Sequence, residues 1–340
     1  MAGTIVYPDY LDPYDYVSEN LPAVFFKKTA LLGKIQIPTW LRPKPTPEDL
    51  RKLDFSSFTK FIRNDGCFKI AIEIRDFIVN KVFPRVPGMI GVDHSSTYGA
   101  ILAIRKHQER ELGLIVLDSH FDAIPAKLRQ NLFDYAKRSN IPFILPDVYP
   151  QSSFTACKFD QNPDSHVDAE NFLLHLINHR ILDIKNLVVI GNSDYPSENL
   201  GEINDPSVKE YEAFFRSLEK LGAHFVPRSS LCRTKTAKNL IEEALGSLNA
   251  KRVYISMDVD VGALSCVYAA RFLNAVGLSL EQIQNVFQSM LSFFSGELTL
   301  CGFDLMEMDI HKLGARIDNL HKDQTSEVSK TFLKFIGNIV

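Results

Sequence analysis

Three short stretches of this sequence gather side chains able to bind a metal ion. "LIVLDSHFDA" sets Asp118, His120 and Asp122 at alternate positions directly after the apolar run Leu114 to Leu117. "GMIGVDHSS" sets Asp93 and His94 after a second apolar run, and "VYISMDVD" sets Asp258 and Asp260 after a third. Carboxylates and imidazoles without a thiolate suit divalent ions that accept both oxygen and nitrogen, such as Mn²⁺, Ni²⁺, Fe²⁺ or Zn²⁺. Five carboxylates and two imidazoles brought together at the rim of an apolar sheet repel one another unless a cation compensates them. One D-x-D or D-x-H at a strand end is more often a cap, a turn or a solvated rim. Three such clusters at three strand ends point to metal binding. They offer more ligands than one tetrahedral Zn²⁺ needs, and suit two ions about 3.5–4 Å apart that share bridging carboxylates.

The elements that must hold these residues can be read from the periodicity. Strand candidates are 88–92, 112–117, 142–145, 186–191, 223–227, 252–257 and 298–303. Helix candidates are 97–110, 125–138, 166–180, 207–221, 235–248, 278–294 and 324–338. Strands alternating with helices mean an α/β fold of three layers, a mostly parallel sheet covered by helices on both faces. In such sheets functional groups sit beyond the carboxyl ends of the strands, where all three clusters fall. Residues 1–66 are rich in proline and aromatics, and Pro43, Pro45 and Pro47 break regular structure there. They are expected to form an irregular N-terminal arm packed on the main body or on another subunit. Residues 67–340 are expected to form a single catalytic domain.

The bulk numbers exclude some functions. The chain has 340 residues, a formal net charge of −3 and a pI near 6.3, so nothing in its charge calls for nucleic acid or an anionic membrane. No apolar run approaches the roughly 18 residues of a membrane span. The start, "MAGTIVYPDY", has neither the basic nor the apolar region of a signal peptide. Cys67, Cys157, Cys232, Cys266 and Cys301 are odd in number and lack CxxC spacing, which fits free thiols in a reducing compartment. A cytoplasmic location is expected.

With these residues in view, the sequence resembles the arginase/agmatinase family, the ureohydrolases. "GVDHSSTYGA", "LDSHFDA" and "SMDVD" look like that family's three metal signatures. The resemblance implies His94, Asp118, His120, Asp122, Asp258 and Asp260 as ligands of two divalent ions, Mn²⁺ first and Ni²⁺ as the alternative. "FDLMEMD" looks like the last-strand segment in which a glutamate holds the substrate guanidinium, which maps onto Glu307; its bland alternative is an acid satisfied by a lysine such as Lys312. The family's catalytic histidine stretch H-G is missing. "SHVDAENFLLHLINHRILDIKNLVVIGNSD" keeps its rhythm and puts His166 in the histidine's place, where it could relay a proton; the bland alternative is a residue just inside a helix N-terminus capped by Ser165.

The implied chemistry is hydrolysis of a guanidino or formimino C–N bond. Two cations acidify a bridging water, Asp122 orients the nucleophile, Glu307 positions the guanidinium, and the amine leaves protonated by Asp122 or His166. Urea is released, or formamide from a formimino substrate such as formiminoglutamate. The related one-zinc deacetylase branch lacks counterparts of His94 and Asp260. A catalytically silent metal-binding relative, serving assembly or regulation, stays open because the histidine stretch and the N-terminal signature are altered. So is the mouth: Arg271 and Phe272 replace the small residues the family carries near it. Arg271 could face a substrate carboxylate or a structural acid. The partner implied is a small guanidino-type substrate, and the family's habit predicts a homo-oligomer, a trimer or hexamer.

Overall fold

In the computed structural model, residues 12–20, 22–42, 54–107, 111–139, 163–232, 234–317 and 321–340 are described. In chain order the α-helices and strands are α1 (Pro13–Glu19), α2 (Ala23–Phe26), α3 (Phe55–Arg63), α4 (Gly66–Phe77), β1 (Gly88–Ile90), α5 (Ser96–His107), β2 (Leu112–Leu117), α6 (Ala126–Arg138) and α7 (Phe172–Asn178). They continue with β3 (Leu187–Ile190), α8 (Pro206–Leu221), β4 (His224–Val226), α9 (Arg228–Leu231), α10 (Thr234–Gly246), β5 (Arg252–Asp258), α11 (Leu280–Phe294), β6 (Thr299–Met306) and α12 (Thr325–Ile339).

The strands form one sheet in the order β1-β6-β5-β2-β3-β4, and every pairing is parallel. Alternation along β2 shows why helices cover both faces. Ile115 and Leu117 join one apolar layer with Ile241, Val286 and Phe332 of α10, α11 and α12. Leu114 and Val116 join the other, with Ile74, Ile101, Leu176 and Phe215 of α4, α5, α7 and α8. Strands buried on both sides must be apolar throughout, and all six residues of β2 are buried. The result is the three-layer α/β/α architecture expected above.

The helices begin and end where the chain provides caps. Asp205 caps α8 through the Ser207 N–H, proline follows at the first turn, and Gly222 closes the helix at φ 106°. Val208, Tyr211, Phe215 and Leu218 are its buried stripe. Ser279 and Gln282 form a reciprocal capping box on α11.

Two segments differ from the sequence expectation. The stretch 166–180 is helical only over α7, because Asp168 and Asn171 bond the backbone locally: Asp168 Oδ1 accepts the Glu170 N–H and Asn171 Oδ1 accepts the Asp168 N–H, both at 2.9 Å. Such turns compete with helix, and Asn171, not Ser165, precedes the first turn. The second is α4, for which periodicity offered no candidate. It buries Cys67, Ile70, Ala71 and Ile74, and it meets α5 so closely that a Cβ on Gly99 would lie 2.3 Å from the Ala71 carbonyl oxygen.

The described part of the arm is more ordered than an irregular segment, since it carries α1, α2 and α3. It packs on the body: the Phe25 ring meets Phe303 edge-on at 5.9 Å, and the Tyr16 hydroxyl lies 2.7 Å from Ser326 Oγ. A cavity of about 260 Å³ remains between it and the sheet edge, lined by Val17, Phe25, Leu31, Phe77, Phe303 and Leu333 among others. The strand candidate 142–145, Cys157 and Pro43, Pro45 and Pro47 lie outside the described residues.

Candidate metal centre

Parallel strands bring their carboxyl ends to one rim. β1, β6, β5 and β2 are neighbours in the sheet, so the chain just beyond each can meet the others. His94 follows β1, Asp118 follows β2, Asp258 ends β5 and Glu307 follows β6. His94, Asp118, Asp122, Asp258, Asp260 and Glu307 are all buried. His120 keeps 27% of its side chain exposed and marks the open side.

The ligand atoms fall into two groups, His94 with Asp118 and Asp258, and Asp118 with His120 and Asp260; within each group the atoms lie within 4.8 Å of one another. Asp118 belongs to both. His94 Nδ1 lies 3.1 Å from Asp118 Oδ2, 3.1 Å from Asp122 Oδ2 and 3.5 Å from Asp258 Oδ2. His120 Nδ1 lies 2.7 Å from Asp260 Oδ2 and 3.8 Å from Asp118 Oδ1. The backbone tightens these carboxylates: the His120 N–H donates to Asp118 at 2.6 Å, the Asp260 N–H to Asp258 at 2.7 Å, and the Ser119 N–H and hydroxyl to Asp260 at 3.1 and 2.8 Å.

The tautomer of His94 tests whether a cation fits. Ser256 Oγ donates its proton to Asp304 Oδ1 at 2.6 Å, so at 2.8 Å it can only accept from His94 Nε2. Asp304 also accepts from Thr97 and Tyr254, each at 2.7 Å. This chain fixes the ring and commits Nε2 as the donor to Ser256, so Nδ1 is the nitrogen that faces the carboxylates and the one a cation would take. Nδ1 is buried without a hydrogen bond. A ring nitrogen facing three carboxylate oxygens is a ligand arrangement once a cation takes the place of its proton, and the donor set fits divalent cations. None of Ser256, Asp304, Tyr254 and Thr97 was picked out by sequence reasoning. The signal available was the polar residues Ser256 and Asp304 inside otherwise apolar strands.

The electrostatics agree. Burial, and then repulsion from Asp122 and Asp260, push the Asp118 carboxyl well above its ordinary range. Burial and then Asp260 and Glu307 do the same to Asp258. Burial acts to lower both histidines, but neighbouring aspartates hold His94 and His120 well above the usual imidazole value. Burial opposes ionisation of Asp260 too, yet His120 holds it down at about 2. Acids and bases raised together signify excess negative charge in a dry site, which bound cations would relieve.

Glu307 borders this nest. Its backbone is left-handed, with φ 65°, a costly conformation for a residue with a side chain. Two bonds enforce it: its N–H donates to the Gly91 carbonyl at 3.1 Å, and its carbonyl accepts the Arg271 N–H at 2.8 Å. Its Oε1 accepts the His94 N–H at 3.2 Å. Burial pushes its carboxyl up to about 7, against the pull of Arg271 and His94. Lys312 pairs with Asp309 at 3.0 Å instead.

His166 is in neither ligand group. Its Nδ1 pairs with Asp65 at the start of α4. Asp93 also lies outside both groups. It accepts from Ser95 and from the Arg271 guanidinium.

The comparisons with known proteins give the family and the fold. The sequence model of the arginase family matches residues 67–312, and the chain belongs to that family. Solved structures with the same fold include proclavaminate amidino hydrolase from Streptomyces clavuligerus, with 15% identity, 82% of this chain and 72% of that one covered, and a TM-score of 0.50. A hypothetical agmatinase from Burkholderia thailandensis has 14% identity, 80% and 63% covered, and a TM-score of 0.50. An arginase from Bacillus subtilis has 17% identity, 84% and 81% covered, and a TM-score of 0.48. No curated protein matches the sequence. Among the described residues no helix is long and apolar enough to cross a membrane.

Proposed function

We propose that the chain is a hydrolase that uses two divalent metal ions to cleave a guanidino or formimino C–N bond, releasing urea or formamide and an amine. The observation that carries this reading is Asp118, shared between two ligand groups that join three strand ends. His94 and Asp258 complete one group around Asp118, and His120 and Asp260 the other; Asp122, 3.1 Å from His94 Nδ1, borders the first as the sixth proposed ligand. Mn²⁺ is the first choice of ion and Ni²⁺ the second, since both accept this donor set.

The cations, when bound, acidify water so that a nucleophile is available near neutral pH. The chain's residues do the rest. Glu307, locked by its backbone bonds, receives the positively charged head of the substrate and aims its carbon at the nest. Asp122 accepts a proton from the nucleophile and delivers it toward the leaving amine. His166 relays that proton onward; Asp65 fixes its ring through Nδ1, so the relay runs through Nε2. In a cytoplasmic homo-oligomer, residues 1–66 are the candidate interface element, and a monomer in light scattering would remove that idea.

The test is metal content together with product release. The purified chain is reconstituted with Mn²⁺ or Ni²⁺, bound metal is quantified per chain, and agmatine, arginine, guanidinobutyrate, guanidinopropionate, guanidinoacetate and formiminoglutamate are screened for urea or formamide. Two metals with turnover of one substrate establish the hydrolase. Two metals with no turnover favour the silent relative, and no metal overturns the reading.

A further inference from the structure

The mouth of the nest holds an arginine that bears on which substrate can enter, an inference that rests on the hydrolase reading above. Arg271 follows the ligand Asp260 on the loop after β5, and its backbone N–H is strapped to the Glu307 carbonyl at 2.8 Å. Its side chain is 13% exposed. One terminal nitrogen donates to Asp93 and the other donates to the Trp40 carbonyl at 3.0 Å. The guanidinium lies 4.8 Å from the centre of the Phe272 ring. The fork is thus oriented on three sides.

A guanidinium has five N–H groups in a rigid plane. Two are spent on Asp93 and Trp40. Nε–H and one N–H on each terminal nitrogen make no hydrogen bond among the described residues. Such a fork matches a carboxylate in two-pronged geometry. Glu307 and Arg271 are neighbours through the chain after β1: Glu307 Oε1 accepts the His94 N–H at 3.2 Å, and the guanidinium of Arg271 donates to Asp93, the residue before His94. A substrate whose head sits on Glu307 therefore has the fixed cation of Arg271 within the length of its own tail. A carboxylate there meets open donors. An ammonium there finds no acceptor, because a guanidinium offers donors alone.

We propose that Arg271 determines specificity: the site takes an amidine or guanidine whose far end is a carboxylate, which Arg271 receives, and rejects one whose far end is an ammonium. Arg271 also ties the arm, through Trp40, to the residue preceding the ligand His94, so the arm walls the subsite.

The experiment uses the full metal-loaded chain and a matched pair, 4-guanidinobutyrate and agmatine, which share the guanidino head and differ in terminal charge. Turnover is measured for both, and binding of each by calorimetry. The expected result is a kcat/KM at least about tenfold higher for guanidinobutyrate, set mainly in KM. Arg271→Gln keeps a polar side chain and removes the charge and the fork. It should raise KM for guanidinobutyrate about tenfold or more, with kcat moved less and agmatine little affected. Arg271→Lys should restore part of the preference, which a merely structural role would not. Melting curves and bound metal confirm that the variants fold. Preference for agmatine in the unaltered protein, or an equal loss on both compounds in Arg271→Gln, overturns the proposal. If neither compound is turned over, the hydrolase reading is what fails, and calorimetry still decides for Arg271. Binding of guanidinobutyrate alone, lost in Arg271→Gln, supports the proposal; equal binding or none overturns it.

Discussion

The rim of the sheet and the N-terminal arm face each other across Arg271, and they are built by opposite rules. At the rim, the proposed ligands lie within five residues of a strand end, and backbone donors hold Asp118, Asp258 and Asp260 again. The arm has short helices, exposed apolar residues such as Leu31 at 51%, and a cavity beneath it. It reaches the site through a main-chain carbonyl, that of Trp40. On the proposed reading, the reaction and its selectivity are supported separately: the sheet would hold the charges that bind metal, and the arm would shape what may approach them.

Changes at the rim should therefore abolish function, and changes in the arm should only retune it. The largest effect belongs to Asp118→Ala, which removes the carboxylate common to both ligand groups. Bound metal should fall below one per chain, and activity should drop by roughly 10³-fold or more. Retention of two metals would break the comparison at its strongest point. Glu307→Gln should keep both metals and lower kcat/KM by about 10²–10³-fold, the scale of losing a positioning charge in a dry site. A fall in metal content alongside would instead make Glu307 a ligand.

Ser256→Ala comes next. It releases His94 Nε2 without touching a ligand, and metal affinity should fall about 10–100-fold, read by competition with a chelator. Metal removal should also reverse a pH trend. Without metal, Glu307 is held near 7 and Asp118, Asp258, His94 and His120 well above their ordinary values. A folded state with raised pKa values binds more protons than the unfolded chain, so its stability is lost as pH rises. The metal-free protein should melt at progressively lower temperature as pH rises from about 5 to 7.5, whereas the metal-loaded protein should not. A metal-free melting temperature that climbs over that range would contradict the excess of buried negative charge.

The smallest effect lies in the arm. The Trp40 ring packs on Phe58 and Phe61 at 6.3 and 6.1 Å, while its carbonyl holds Arg271. Trp40→Ala keeps the carbonyl and loses the ring packing. It should cost about 1–3 kcal/mol of stability and raise KM a few-fold with metal content unchanged. Loss of metal in this variant would show that the arm supports the nest itself.

The sequence determined the alternation of strand and helix and the apolar strands, and the family resemblance of three short motifs named the six proposed ligands, five of which the fold gathers into two groups. Local chemistry suffices for the strands, since one buried on both faces must be apolar; for the ligands it took three acid and imidazole clusters at three strand ends, because one alone is more often a cap or a turn. The family's last-strand pattern likewise marked Glu307 before its geometry was known. Tertiary structure alone decided α4, where the near-alternating "KIAIEI" becomes a helix because Ala71 seats against Gly99. It decided the short α7, whose start is set by the turn at Asp168. It decided that Arg271, which sequence left between a substrate and a structural acid, joins Asp93 and Trp40, residues 178 and 231 positions away. No local pattern encodes such a contact. It exists because parallel strands carry distant segments to one rim, where a buried charge must find its partners.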